Sequence, residues 1–206
     1  SLQEETVQVP KAAKAIGEWR KVALLGSGFQ GKTFSGVSVN TGKEVTIKEY
    51  RMRQISAPHV KHIASSFSLL KDLDHPCLVK YHGVVYSNKH MHVINEFVQG
   101  GSLGNIMRDH GTFSEQCLAS VAVQVLDGLA YLHSAGIIHA ALNANNILFD
   151  ITTGTCKLAD ICLKTFAETV NRKGQGNKFS SIFGLYFCLA PEVVSIDLFS
   201  FAVLVV

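Results

Sequence analysis

Apolar and polar positions alternate through residues 19–50, and the alternation predicts three strands. Val22-Ala23-Leu24-Leu25 leads into a glycine cluster and Val37-Ser38-Val39 follows it. Asn40-Thr41-Gly42-Lys43 then makes a hairpin turn into Glu44 to Tyr50. Ser56 to Leu73 reads as helix, with short strands around Leu78 to Val85 and His92 to Phe97. Gln99-Gly100-Gly101-Ser102 has the composition of a linker and a helix start. Beyond it the period changes. Val121, Val125, Leu129 and Leu132 recur at intervals of three or four, the face of a buried amphipathic helix. Thr112 and Glu115 are spaced as its capping box, and Gly136 as its stop. Ile147-Leu148-Phe149 and Cys156-Lys157-Leu158 flank the Thr152-Thr153-Gly154 turn as a short hairpin. A β-rich first half thus meets a helical second half, with the joint expected near Phe97 to Ser102.

Composition narrows the class. With 206 residues, 47% hydrophobic and 17% charged, the chain can bury one sizeable core or two small lobes, and intrinsic disorder is excluded. Nineteen Lys and Arg against 16 Asp and Glu give a net charge of +3, too mild to imply a nucleic-acid partner. Uniformly apolar stretches such as Phe201 to Val206 run to six residues and fall far short of the roughly 20 that span a bilayer. Ser1-Leu2-Gln3-Glu4-Glu5 is acidic where a secretory leader would be basic, so no membrane role is expected. The five cysteines are scattered and lack CxxC spacing, which argues for a reducing, cytoplasmic compartment and against a disulfide framework or structural zinc. His59 with His62, and His90 with His92, read as surface or internally satisfied side chains rather than metal ligands.

Gly26-Ser27-Gly28-Phe29-Gln30-Gly31-Lys32-Thr33 satisfies two patterns, G-x-G-x-x-G and the G-x-x-x-x-G-K-[ST] P-loop of NTPases. In both, glycines let backbone N–H groups approach phosphate oxygens with no Cβ in the way. A P-loop must open a helix directly after its Lys-Thr. The alternation from Phe34 to Tyr50 predicts strand instead, and Asp150 after Ile147-Leu148-Phe149 is only a faint Walker-B echo. A glycine hairpin with no ligand is the bland alternative.

Val45-Thr46-Ile47-Lys48 follows at the position of the V-A-I-K lysine. His139-Ala140-Ala141-Leu142-Asn143-Ala144-Asn145-Asn146, Leu158-Ala159-Asp160-Ile161-Cys162 and Ala190-Pro191-Glu192 come after it in order. These resemble the catalytic loop, the metal-binding D-F-G segment and the A-P-E motif of the protein kinase family. Glu96 to Leu103 and Gly128 to His133 look most like MAP kinase kinase kinases, in the branch that includes the septation kinases. The resemblance implies an α+β, bilobal kinase-like fold: a tail over residues 1–18, a β-rich N-lobe over about 19–97 with one main helix, and a mainly helical C-lobe over about 98–206. Asp197-Leu198-Phe199-Ser200-Phe201 resembles the start of the helix that anchors the C-lobe. The chain stops soon after it, so a longer natural polypeptide is expected.

By the same resemblance, ATP would be met by Gly26, Ser27, Gly28, Gly31, Thr33, Thr46, Lys48, Asn95, Glu96 and Leu148. Lys48 would reach the α- and β-phosphates, and Asn146 and Asp160 would hold magnesium. His139, Ile161 and Leu70 would keep bulk where the family stacks its regulatory spine. The departures fall on the chemistry. Ala141 stands where the family has its catalytic Asp, and no carboxylate occurs between Asp127 and Asp150 to replace it. Ala140 replaces the preceding Arg, and Asn143 a lysine. Ser66 replaces the Glu that pairs with Lys48, and Cys162 the D-F-G glycine. Thr33 and Thr46 replace a Val and an Ala that sandwich adenine over the Leu148 floor, and Asn95 is a polar gatekeeper. Thr165, Thr169, Ser180 and Ser181 are possible phosphosites, though the arginine that would bind their phosphate is missing. Gly184 to Cys188 lacks the family's substrate-facing Thr. The expectation is a catalytically impaired, pseudokinase-like domain that binds ATP weakly and acts on signalling proteins as an allosteric or scaffolding module. An active Ser/Thr kinase and an interaction module with no nucleotide are the alternatives.

Overall fold

The structure is a computed structural model that describes residues 17–28, 31–51, 70–86, 90–139, 141–161 and 164–165. The chain divides into two compact units, one of Ser1–Leu73 with Lys80–Phe97, the other of Asp74–Val79 with Val98–Val206.

The first unit is built on a five-stranded antiparallel sheet. Its strands are β1 (Trp19–Gly28), β2 (Gly31–Ser38), β3 (Glu44–Arg51), β4 (Tyr81–Tyr86) and β5 (His90–Glu96), in the order β1-β2-β3-β5-β4. Phe34, Ile47 and Ile94 stand opposite one another across β2, β3 and β5. They pack with Trp19, Val45 and Val85 into the apolar core on one face. Strand alternation then sends Thr33, Thr46, Lys48 and Asn95 to the other face. β1 shifts register around Val22 and again around Leu25, two irregularities that bend and twist the strand leading into the glycines. Leu70 is buried, and residues 70–72 are helical. The rest of the helix expected over Ser56 to Leu73 lies outside the described residues.

In the second unit, α1 (Leu103–His110) is capped by Ser102, whose hydroxyl accepts from the Asn105 N–H, and ends at Gly111 with φ 87°. α2 (Glu115–Ser134) buries Val121, Val125, Gly128, Leu129 and Leu132, the periodic face the sequence predicts. By length and composition alone α2 is apolar enough to cross a membrane, and its buried residues lie along one face. Its N-cap is Ser114, which accepts from the Cys117 N–H, and not Thr112. Glu115 is therefore the first helical residue rather than the far partner of a capping box.

β6 (Ile137–Ile138) pairs with β9 (Lys164–Thr165), and β7 (Ile147–Asp150) with β8 (Thr155–Leu158). Asp150 closes the β7–β8 turn by accepting the Thr152 N–H at 2.9 Å. Residues 74–79 belong here although the sequence assigns part of them to an N-terminal strand. Leu158 N–H donates to the Cys77 carbonyl and Val79 N–H to the Leu158 carbonyl, stitching the segment to β8. Val79, Val98 and Ala159 form a small core against which Leu148 packs.

Candidate functional site

Gly26, Ser27 and Gly28 end β1, and Gly31 opens β2; they face each other as Gly28–Gly31, Ser27–Lys32 and Gly26–Thr33. Lys32 and Thr33 are therefore strand residues, which removes the P-loop reading, because a P-loop needs helix there. A Cβ on Gly31 would lie 2.0 Å from the Glu49 carbonyl oxygen at φ 154°, so β2 can approach β3 at this point only as glycine. Gly26 has nothing within 4 Å of such an atom.

Behind the hairpin, Thr33 faces Lys48 and Thr46 faces Asn95 across the ladders. The four thus share the sheet face opposite the apolar core. Asn95 is buried at 2% exposure. Glu96 is tied down as the strand ends: its Oε1 accepts the Lys80 N–H at 2.8 Å, and its own N–H donates to the Lys80 carbonyl at 2.9 Å.

On the core side an ionic cluster appears that sequence reasoning missed. Buried His92 shares a hydrogen bond of 3.1 Å between its Nε2 and Glu49 Oε2, and the same oxygen accepts from the Lys21 ammonium, which also sits 4.5 Å from the centroid of Phe34. Burial pushes the His92 imidazole below its ordinary value more strongly than Glu49 raises it. For Glu49, burial raises the carboxyl, but the bonds from Lys21 and His92 outweigh it and hold it low. The pair is therefore a carboxylate and a neutral imidazole whose Nε2–H donates.

In the second unit, residue 139 and residues 141–146 are held by their own polar groups. The Ala141 N–H donates to His139 Nδ1 at 3.3 Å. The Ala141 carbonyl accepts twice, from Asn143 Nδ2 at 2.9 Å and from Asn146 Nδ2 at 2.6 Å. Asn143 Oδ1 accepts the Asn145 N–H and caps the single 3₁₀ turn Ala144–Asn146. His139 and Ile161 are buried. The Ala159 N–H donates to the Asn146 carbonyl at 2.8 Å, which ties the following Asp160 to the same loop. Asp160 is the only described non-glycine residue with positive φ, 58°. A left-handed Asp is uncommon and costs energy that the surrounding structure must hold.

The Protein kinase domain family profile matches residues 19–206. The chain belongs to the protein kinase family. It is 36% identical over 191 residues to the MAP kinase kinase kinase mkh1 of Schizosaccharomyces pombe, covering 89% of this chain and 17% of that protein. It is 34% identical over 192 residues to the cytokinesis protein sepH of Aspergillus niger, covering 92% of this chain and 14% of that protein. The kinase domain thus spans less than a fifth of the length of either relative. A crystal structure of Rad53 1–466 in complex with AMP-PNP shares the fold, with a TM-score of 0.68 and 24% identity over 88% of this chain and 45% of that one.

Within the kinase domain, Asn146 and Asp160 fit a magnesium ion chemically. Asn146 spends its Nδ2 on the Ala141 carbonyl and so turns its oxygen outward from that bond, and Asp160 supplies a carboxylate. Both are hard oxygen donors, the class magnesium takes. Ala141 is fixed in the loop but offers only a methyl group. Asn143, read in sequence as a lost lysine, is 8% exposed and serves the loop's own bonding. Ala140, Ser66, Cys162 and the segment from Thr169 to Val206 lie outside the described residues, as does all but the backbone pairing of Thr165.

One group of metal-ligand type exists among the described residues: His75, Cys77 and Asp127, with ligand atoms within 4.8 Å of one another. Its hydrogen bonding argues for a structural cluster. His75 Nδ1 accepts the Cys77 N–H at 3.2 Å, so its proton sits on Nε2, facing Asp127 Oδ2 at 3.5 Å. A metal-bound histidine would instead donate through its second nitrogen.

Proposed function

We propose that this kinase domain is a catalytically impaired pseudokinase. It binds ATP weakly through the glycine hairpin and Lys48, uses Asn146 and Asp160 for magnesium, and acts as an allosteric or scaffolding module among cytoplasmic signalling proteins. The observation that carries the reading is Ala141, a methyl group in a loop whose other bonds are in place. Magnesium supplies charge neutralisation on the phosphates; the chain's own task is to position them. Phosphoryl transfer passes through a loose transition state and is mostly positioning and charge stabilisation, to which a general base adds typically 10²–10⁴-fold. Without it, ATP can be held while transfer is slow.

The test is thermal unfolding against ATP, with and without magnesium. Ligand at 100 times its dissociation constant adds about 2.7 kcal/mol to stability. The expected result is a rise that is larger with magnesium, in a protein whose phosphate transfer stays at the assay floor. A rise that needs no magnesium would leave a nucleotide sensor. No rise at millimolar ATP, in a folded sample, would leave an interaction module. The left-handed Asp160 tied to the magnesium-type Asn146 favours one second reading, a slow Ser/Thr kinase using displaced groups. Transfer abolished by Lys48→Met would support that reading.

A further inference from the structure

Lys21, Glu49 and His92 form a charged group on a face that the fold otherwise uses for apolar packing. They stand on β1, β3 and β5, and β2 lies between the first two strands. The Lys21 side chain crosses β2 over the Phe34 ring, 4.5 Å from its centroid, to bond Glu49 Oε2. The same oxygen meets His92 Nε2 at 3.1 Å, and Trp19, at the start of β1, packs on the His92 ring with centroids 5.3 Å apart. One carboxylate oxygen thus joins the edge strand to the middle of the sheet. Stability alone does not account for it, because well-packed apolar residues often replace a buried ion pair at no cost. Its place in the sheet does. β1 shifts register after Lys21 and again after Leu24, so the strand reaches Gly26 through a bent stretch where the ladder is disrupted. Lys21 anchors the strand just ahead of that stretch. Across the hairpin, Gly31 opens β2 so close to the Glu49 main chain that an added Cβ would lie 2.0 Å from its carbonyl oxygen. Glu49 therefore bears on both strands of the glycine hairpin, on β1 through its side chain and on β2 through its backbone. It also directly follows Lys48, which strand alternation sends to the opposite face.

We propose that Glu49 is a positioning residue for the nucleotide phosphates: held by Lys21 and His92, it fixes the glycine hairpin relative to Lys48 from the face of the sheet opposite the ligand. This rests on the nucleotide reading above. The hairpin's backbone N–H groups bond phosphate oxygens only when they are held in place, and a misaligned hydrogen bond to a charged group costs about tenfold in affinity. Adenosine carries no phosphate, so its binding does not read the hairpin's placement in this way.

Dissociation constants for ATP with magnesium, and for adenosine, test this on the wild type, Lys21→Met, Glu49→Gln, the double variant and Lys21→Arg. Met keeps the stem over Phe34 and Gln keeps the shape of the carboxylate, so both variants are expected to fold. Each should weaken ATP binding by about five- to tenfold and leave adenosine within about twofold of wild type. The double variant should lose no more than either single one, because both act through one contact. Lys21→Arg keeps the charge-assisted bond and should bind ATP as the wild type does. The signs separate positioning from the overall field of the protein. Met removes a cation and Gln an anion, so long-range charge would weaken ATP binding in one variant and strengthen it in the other. Opposite signs overturn the inference. So does ATP affinity unchanged in both variants, even where their melting temperatures fall, and so does an equal loss of ATP and adenosine affinity, which marks a merely structural role. Failure of the wild type to bind ATP overturns the nucleotide reading and takes the inference with it, whereas wild-type binding that the variants leave intact overturns the inference alone.

Discussion

Ala141→Asp places a carboxylate on a backbone that is already held from both sides. The residue's N–H is committed to His139, and its carbonyl to Asn143 and Asn146. Its side chain is partly exposed, so an ionised Asp there stays partly hydrated. The substitution therefore adds the base without rebuilding the loop. A general base contributes 10²–10⁴-fold, equivalent to roughly 3–5 kcal/mol of barrier. Transfer of the ATP γ-phosphate to a generic Ser- and Thr-containing protein substrate is the assay, with Ala141→Asn as the neutral control of equal shape. The expected outcome is a gain of at least about 10²-fold for Asp over both wild type and Asn, with unchanged magnesium-dependent ATP binding. An Asp variant that binds magnesium and ATP yet transfers no faster than wild type would refute the claim that the missing carboxylate is what limits this domain.

Other predictions follow from single contacts. Gly31→Ala puts a methyl 2.0 Å from a backbone oxygen at positive φ and should cost about 2–4 kcal/mol in chemical denaturation, whereas Gly26→Ala, which meets nothing, should change stability by less than about 1 kcal/mol. The neutral state of His92 in the fold makes stability depend on acidity. Its value lies below the ordinary 6.5, so its contribution is complete above that pH and is lost as pH falls through the lower folded value. His92→Leu should flatten the melting-temperature profile between about pH 6.5 and 5 relative to wild type; His82, also lowered by burial, leaves a residual slope of the same sign. Ser114→Ala removes the α2 cap and should cost about 1 kcal/mol, while Thr112→Ala should cost little.

Most of the longer strands were legible because each follows a local alternation, and so was the buried face of α2; β2 starts at Gly31, ahead of the expected Val37, and the two-residue β6 and β9 are too short to carry a pattern. What escaped the sequence depends on distant partners. The polar positions Glu49 and His92 sit on an apolar face, and only the β3–β5 register shows that they answer each other. Residues 77–79 read as N-terminal because they precede β4, yet their backbone groups are paired by Leu158, far along the chain. The capping-box spacing fitted Thr112 and Glu115, but α1 ends at Gly111 and the chain needs two more residues before Ser114 can cap. At the site, identities were visible and uses were not. Asn143 looked like a lost lysine in sequence, but in the fold it is a cap and a bridge.

Asp160 bears on which remnant of function the domain keeps. Asp160 holds a left-handed conformation that costs energy, next to the residue whose N–H is bound to the Asn146 carbonyl. Asp160→Asn isolates the point. Asn tolerates the left-handed region as well as Asp and has the same shape, so the substitution removes charge and leaves geometry alone. If Asp160 holds the metal, the magnesium-dependent part of the ATP-induced rise in melting temperature should vanish, and the magnesium-independent part, owed to the glycine hairpin and Lys48, should remain. An unchanged magnesium-dependent part would move the metal away from Asp160. Loss of both parts together would mean that the nucleotide depends on this carboxylate directly, and that the hairpin and Lys48 do not hold phosphate on their own.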